Sequence, residues 1–168
     1  MSFLEPLAHT WAPKGNRPVV RRVSNQRRAW STGVGLTWSG QIYKRQFAGS
    51  MDSQDLIKTL QHLQRYLAGR FILIWDHGCI HTSQATQAYL AQHPEILVEW
   101  LPPYAPELNP EEFCHGNVKA HLKNATPRNK EELRIMANCG FARLRHRPDL
   151  LLSFIHAAGL SVRKLWLK

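Results

Sequence analysis

An α/β fold, a mixed sheet with helices on both faces, is the fold class this sequence predicts. Three observations carry it. A β-hairpin pattern spans 29–48, two short apolar runs alternate with helical patterns between 50 and 101, and three further helical patterns follow between 110 and 159. An antiparallel pair feeding a strand–helix–strand unit gives a sheet of mixed direction.

The elements follow in order. Residues 1–28 hold turn formers, densest in Trp11-Ala12-Pro13-Lys14-Gly15-Asn16-Arg17-Pro18. Residues 29–38 read as a strand, Ser39-Gly40 as a turn, and 41–48 as the returning strand with Ile42, Tyr43 and Phe47 as its apolar residues. A helix is expected over 50–67. Asp52 or Ser53 caps it, Leu56, Ile57, Leu60, Leu63 and Leu67 recur at helical spacing, and Gly69 closes it. Residues 70–76 form a short strand ending in a carboxylate, apolar enough to expect burial on both faces. A helix over 83–92, a strand over 96–101 and a stiff Pro-Pro-Tyr-Ala-Pro loop come next. Helices over 110–124, 131–145 and 148–159 complete the chain.

Composition bounds the function. The 168 residues suffice for one domain with a core, and the hydrophobic share of 43% is ordinary for a globular chain. The longest apolar run, 71–75, is strand-sized, so neither a membrane span nor a secretory signal is expected. Three cysteines, Cys79, Cys114 and Cys139, suit a reducing cytoplasm better than a disulfide framework. Lys plus Arg total 22 against 12 Asp plus Glu, a net charge of +10, which draws a chain toward polyanions. The excess sits in three groups: Arg17, Arg21, Arg22, Arg27 and Arg28; Lys119, Lys123, Arg128 and Lys130; Arg143, Arg145 and Arg147. Three separate groups fit a long phosphate backbone better than one small ligand.

The sharpest constellation joins Trp75-Asp76-His77-Gly78-Cys79-Ile80-His81 to Leu101-Pro102-Pro103-Tyr104-Ala105-Pro106-Glu107-Leu108-Asn109-Pro110-Glu111-Glu112. Asp76 ends a strand on the side where open α/β sheets place their sites. Glu112 opens a helix whose start is set by the prolines before it. If the two strands are parallel neighbours, both carboxylates converge in an oxygen-rich site suited to Mg²⁺ or Mn²⁺.

These segments resemble the DDE domain of mariner-like transposases and their bacterial insertion-sequence relatives. The family's second acid sits in Trp-Asp-Asn with a His five residues on; Trp75, Asp76 and His81 match, and His77 stands where the Asn would be. Its third acid lies in Leu-Pro-Pro-Tyr-Ser/Ala-Pro-x-Leu-Asn-Pro-x-Glu, matched at 101–106, 108–110 and Glu112. Thirty-five residues, 77 to 111, separate the two acids, a spacing typical of the family. Thr10-Trp11-Ala12-Pro13-Lys14-Gly15, Lys119 and the tail ending at Ala158-Gly159-Leu160 agree as well, so the likeness runs over nearly the whole chain.

The resemblance implies an RNase H-like fold and a single domain over 1–168, with no helix-turn-helix DNA-binding region. It implies metal-dependent phosphodiester cleavage and strand transfer on transposon DNA in the bacterial cytoplasm, at the nucleoid. The family holds two divalent ions on three carboxylates, so Asp76 and Glu112 are expected as ligands, Asp76 as the bridging one. The family's first Asp ends a strand a few residues before a segment like Phe3-Leu4-Glu5-Pro6, and no aspartate precedes Asp52 here. The first, central strand and its acid are therefore expected to be missing. The isolated chain is expected to be inactive, marginally folded, or completed by a second copy or an upstream polypeptide. A DNA-binding or oligomerising remnant is the alternative.

Plainer readings stand beside each residue. Asp76 also suits a loop cap, and Glu112 or its neighbour Glu111 suits a helix N-terminus for dipole reasons alone. His81 orients a carboxylate, contacts DNA or caps a turn. Lys119 and Lys123 either hold phosphate or cover a solvated helix face, and Arg21, Arg22, Arg27 and Arg28 either track DNA or decorate a loop. Cys79, His81, Cys114 and His115 have no zinc-site spacing, so core cysteine is the expectation. Trp11, Trp30, Trp38 and Trp100 are expected to pack rather than to stack on bases.

Overall fold

The computed structural model describes residues 12–16, 30–123, 125 and 127–160. Strands β1 (Trp30–Leu36) and β2 (Ile42–Ala48) pair antiparallel. Helix α1 (Ser53–Tyr66) leads to β3 (Phe71–Trp75), α2 (Gln84–Ala91) and β4 (Ile96–Trp100), and β3 pairs with β4 in parallel. After a 3₁₀ turn (Pro106–Leu108) come α3 (Pro110–His121), α4 (Lys130–Arg145) and α5 (Pro148–Ala157).

The caps are written in the sequence. The Asp52 side chain accepts from the Asp55 amide at 2.8 Å, Ser83 from Thr86, Asn109 from Glu111 and Asn129 from Glu132. Pro110 and Pro148 sit at the first helical positions, where a missing N–H costs nothing. The hairpin turn is wider than Ser39-Gly40. It closes through Gly40 N to Thr37 O and Thr37 N to Gln41 O, so Trp38 lies in the turn and not in the strand.

The hairpin separates two cores. Val34, Leu36 and Ile42 face Cys114, Val118, Leu122, Leu133, Phe141, Leu144 and Leu151 of the C-terminal helices. The opposite face carries Gly33 and Gly35, whose missing side chains let α1 approach; a Cβ on Gly33 would stand 3.4 Å from Met51. On that side Leu56, Leu60, Leu63 and Trp75 form the second cluster with Tyr43, Leu73 and Val98.

The α/β class therefore stands, with helices on both faces of the hairpin. The four described strands form two separate pairs, with β1–β2 and β3–β4 not bonded to each other, the separation expected where no central strand links them. Two details besides the hairpin turn differ from expectation. Strand β3 is not buried on both faces: Ile72 is 56% exposed and its register partner Leu97 53%. Pleating sends Leu73 and Trp75 toward α1 and Ile72 to the other, exposed side. The third helix is also shorter than expected, ending at His121, which leaves Lys123 in the turn beyond it. No helix among the described residues is long and apolar enough to cross a membrane.

Candidate active site

Asp76 follows the last residue of β3. Its Oδ1 accepts from the Gly78 amide at 3.0 Å. His81 Nδ1 lies 2.8 Å from the same oxygen and 2.9 Å from the Asp76 carbonyl, placed to donate to both. The loop closes this tightly because residue 78 is glycine: a Cβ there would meet Asp76 Oδ1 at 3.1 Å and His81 Nδ1 at 3.3 Å. The His81 ring stacks on Trp75 with centroids 4.5 Å apart and planes 10° apart. So the imidazole is held by one buried indole and spends its N–H on the carboxylate. Of the roles open to His81, orienting a carboxylate is the one this geometry matches. Asp76 Oδ2 keeps its lone pairs unshared with any described residue, and the side chain is half exposed.

Glu112 comes from the other core. It occupies the first turn of α3, with its amide bonded to Asn109 O at 3.0 Å. The helix is anchored by Cys114, His115 and Val118, all at or below 1% exposure. Burial, then the Glu111 charge, pushes the Cys114 thiol up to about 12, the behaviour of a core cysteine. Glu111, the neighbour easily mistaken for Glu112, accepts from His115 Nε2 at 3.0 Å, while His115 meets Phe141 edge to face. One helical step therefore commits Glu111 to a histidine partner and leaves the Glu112 carboxylate without a hydrogen-bond partner among the described residues.

Both carboxylates line one cavity of about 370 Å³, together with His77, Gly78, Asn109, Tyr104 and the loop prolines Pro102, Pro103 and Pro106. The convergence of β3 and β4 brings this about. Their parallel register aligns Trp75 with Trp100, so residues 76 and 101 leave the sheet side by side. Three unshared carboxylate oxygens at one opening suit a hard divalent cation. Two carboxylates are the extent of the donor set, since no group of three or more His, Cys, Asp or Glu side chains is clustered for a metal among the described residues.

The remaining expected residues are not gathered here. Lys119 is half-buried on α3 and Lys123 is exposed, and neither lines the cavity. Arg21, Arg22, Arg27 and Arg28 lie outside the described residues. Arg143 donates to Asn117 Oδ1 at 2.6 Å, tying α4 to α3, and Arg147 pairs with Asp149. Two aromatic residues were not anticipated at the site. His77 stacks on Trp100 at 4.7 Å and 16°, so Trp100, expected to pack, is 37% exposed beside the cavity. Tyr104 is 102% exposed on the cavity wall. A sequence signal for Tyr104 existed: it is the one residue between Pro102 and Pro106 that is neither a proline nor followed by one.

A sequence profile of the DDE superfamily endonucleases matches residues 5–134. Among solved structures the chain is similar to the Mos1 transposase paired-end complex with left transposon end: TM-score 0.61, 17% identity, 94% of this chain and 52% of that one. The Mos1 strand transfer complex gives TM-score 0.60 and 18% identity, over 94% of this chain and 51% of that one. The Mos1 transposase catalytic domain, solved with raltegravir and Mg, gives TM-score 0.52 and 20% identity over 79% and 76%. At these identities the likeness is one of fold, and the chain spans about half the length of the first two. No curated protein sequence matches it.

Proposed function

The chain belongs to the DDE superfamily endonucleases, and from that premise we propose that residues 1–168 are the catalytic domain of a transposase. It cuts DNA phosphodiester bonds and transfers the strands. The observation that carries this reading is the shared cavity of Asp76 and Glu112, reached from two separate cores. Asp76 and Glu112 would hold Mg²⁺ or Mn²⁺, which would supply Lewis acidity to the attacking and leaving oxygens.

The chain's own groups do the positioning. His81 and the Gly78 amide hold one oxygen of Asp76, which would leave the other free for a cation without a rotamer search. Asn109 and Pro110 fix the first turn of α3 and with it Glu112. The proline loop is stiff, which keeps the cavity wall in place without an entropy cost on binding. Outlying cations such as Lys119 and Lys123 attract the DNA backbone and steer it.

A second reading, a DNA-binding chain without cleavage, rests on the two carboxylates gathered at the cavity among the described residues. Nicking of supercoiled DNA with Mg²⁺ or Mn²⁺ separates the two. On the first reading, Asp76→Asn and Glu112→Gln each lose on the order of a hundred-fold or more in rate, while Glu111→Gln retains nicking because its partner is His115. DNA binding with no metal-dependent nicking by the wild-type chain selects the second.

A further inference from the structure

We propose that Tyr104 is a stacking platform for an unpaired nucleobase beside the phosphate to be cut; this deepens the DNA-cutting reading above and rests on it. Three observations meet at this residue. Its ring is 102% exposed, with no ring contact or hydrogen bond among the described residues. Its φ is +59°, and no other non-glycine residue among those described is positive. It lines the cavity that holds Asp76 and Glu112.

The backbone explains the turn but not the tyrosine. Pro102 and Pro103 have fixed φ, and Ala105 is restrained by Pro106 after it, so the loop reverses at residue 104. Glycine or asparagine makes a left-handed turn at least cost, whereas an aromatic Cβ clashes with the following carbonyl. A large ring held there by rigid neighbours and offered wholly to solvent gains nothing for the fold. Strain of this kind gathers where a side chain is aimed at a ligand.

The chemistry of the cavity names the ligand class. Tyr104 offers this cavity a flat, uncharged ring, which suits a base and not a phosphate. His77, lying on Trp100, adds a second aromatic surface to the same cavity. Cutting a strand requires the DNA to distort or fray at the cut, and a base freed from its stack finds a replacement partner on an exposed ring. Stacking uses the face of the ring and leaves the hydroxyl unused, which agrees with its lack of a partner.

The test uses a duplex with a short single-stranded overhang carrying 2-aminopurine, compared with a blunt duplex, in Ca²⁺. Wild type and Tyr104→Phe are expected to quench the fluorophore and to prefer the overhang. Tyr104→Gly, which relieves the strain and keeps the fold, is expected to lose the quench and on the order of ten-fold in overhang affinity. Its blunt-duplex affinity stays unchanged. Tyr104→Gly behaving as wild type overturns the proposal, and so does Tyr104→Phe losing as much as Tyr104→Gly. Asp76→Asn keeps the quench while abolishing nicking. A wild-type chain that quenches but never nicks defeats the cleavage reading and leaves the stacking platform standing. Nicking together with an unaltered quench in Tyr104→Gly does the reverse.

Discussion

The two acidic residues at the cavity are held in place by different means. Glu112 rides on a helix sunk in the C-terminal core, where Cys114, Val118, Leu144 and Leu151 have no exposed surface. Asp76 sits at the tip of a two-stranded parallel pair whose outer face, Ile72 and Leu97, is open. Packing sets the first position, and local hydrogen bonds to Gly78 and His81 set the second. A site can thus be shared between a rigid half and a thinly covered half, provided the thin half carries its own local clamp.

The largest effect that sharpens this contrast is in the C-terminal core. Leu144→Ala removes a fully buried side chain and is expected to cost about 2–5 kcal/mol, read as a lower midpoint in urea unfolding. Ile72→Ala on the open strand face is the mirror substitution and is expected to stay within about 0.5 kcal/mol. Equal losses at the two positions would break the comparison.

Next in size is Gly140→Ala. Its new Cβ would stand 2.9 Å from Val118 Cγ1, across the contact of α4 with α3. A loss of about 1–3 kcal/mol is expected from this overpacking, measured by the same titration. Since α3 carries Glu112, nicking should fall at temperatures where the variant is still folded.

The smallest effect concerns Lys44, on the hairpin face turned toward α4. Burial first, then the positive charges of Arg145 and Arg134, push its ammonium below the ordinary 10.5, although Asn138 Oδ1 accepts from it. Because the folded value is the lower one, the unfolded chain binds more protons between that value and 10.5. Stability therefore rises with pH across that window. Lys44→Met should flatten that rise. A pH series of melting temperatures for both proteins checks it, and an unchanged slope would show the charge to be relaxed in the fold.

Much of this was legible beforehand. The four described strands and five described α-helices occur where periodicity and caps predict them, because capping residues and apolar spacing act within a few residues of chain. The Asp76 and Glu112 motifs could be found because prolines and a strand end leave local marks. Errors fell where a distant segment decides the outcome. The openness of the Ile72 face depends on what packs above it, and the end of α3 at His121 depends on the turn into α4.

By itself the sequence determined the order of elements, the helix starts, the basic charge and the pair of candidate acids. Those are properties of short stretches, governed by local hydrogen bonding and side-chain pattern. Tertiary structure decided that Glu112 shares a cavity with Asp76, that His77 stacks on Trp100, that Arg143 ties α4 to α3 through Asn117, and that the outer face of β3 stays open. Each of these outcomes depends on partners brought together through space, and no short window of sequence contains both.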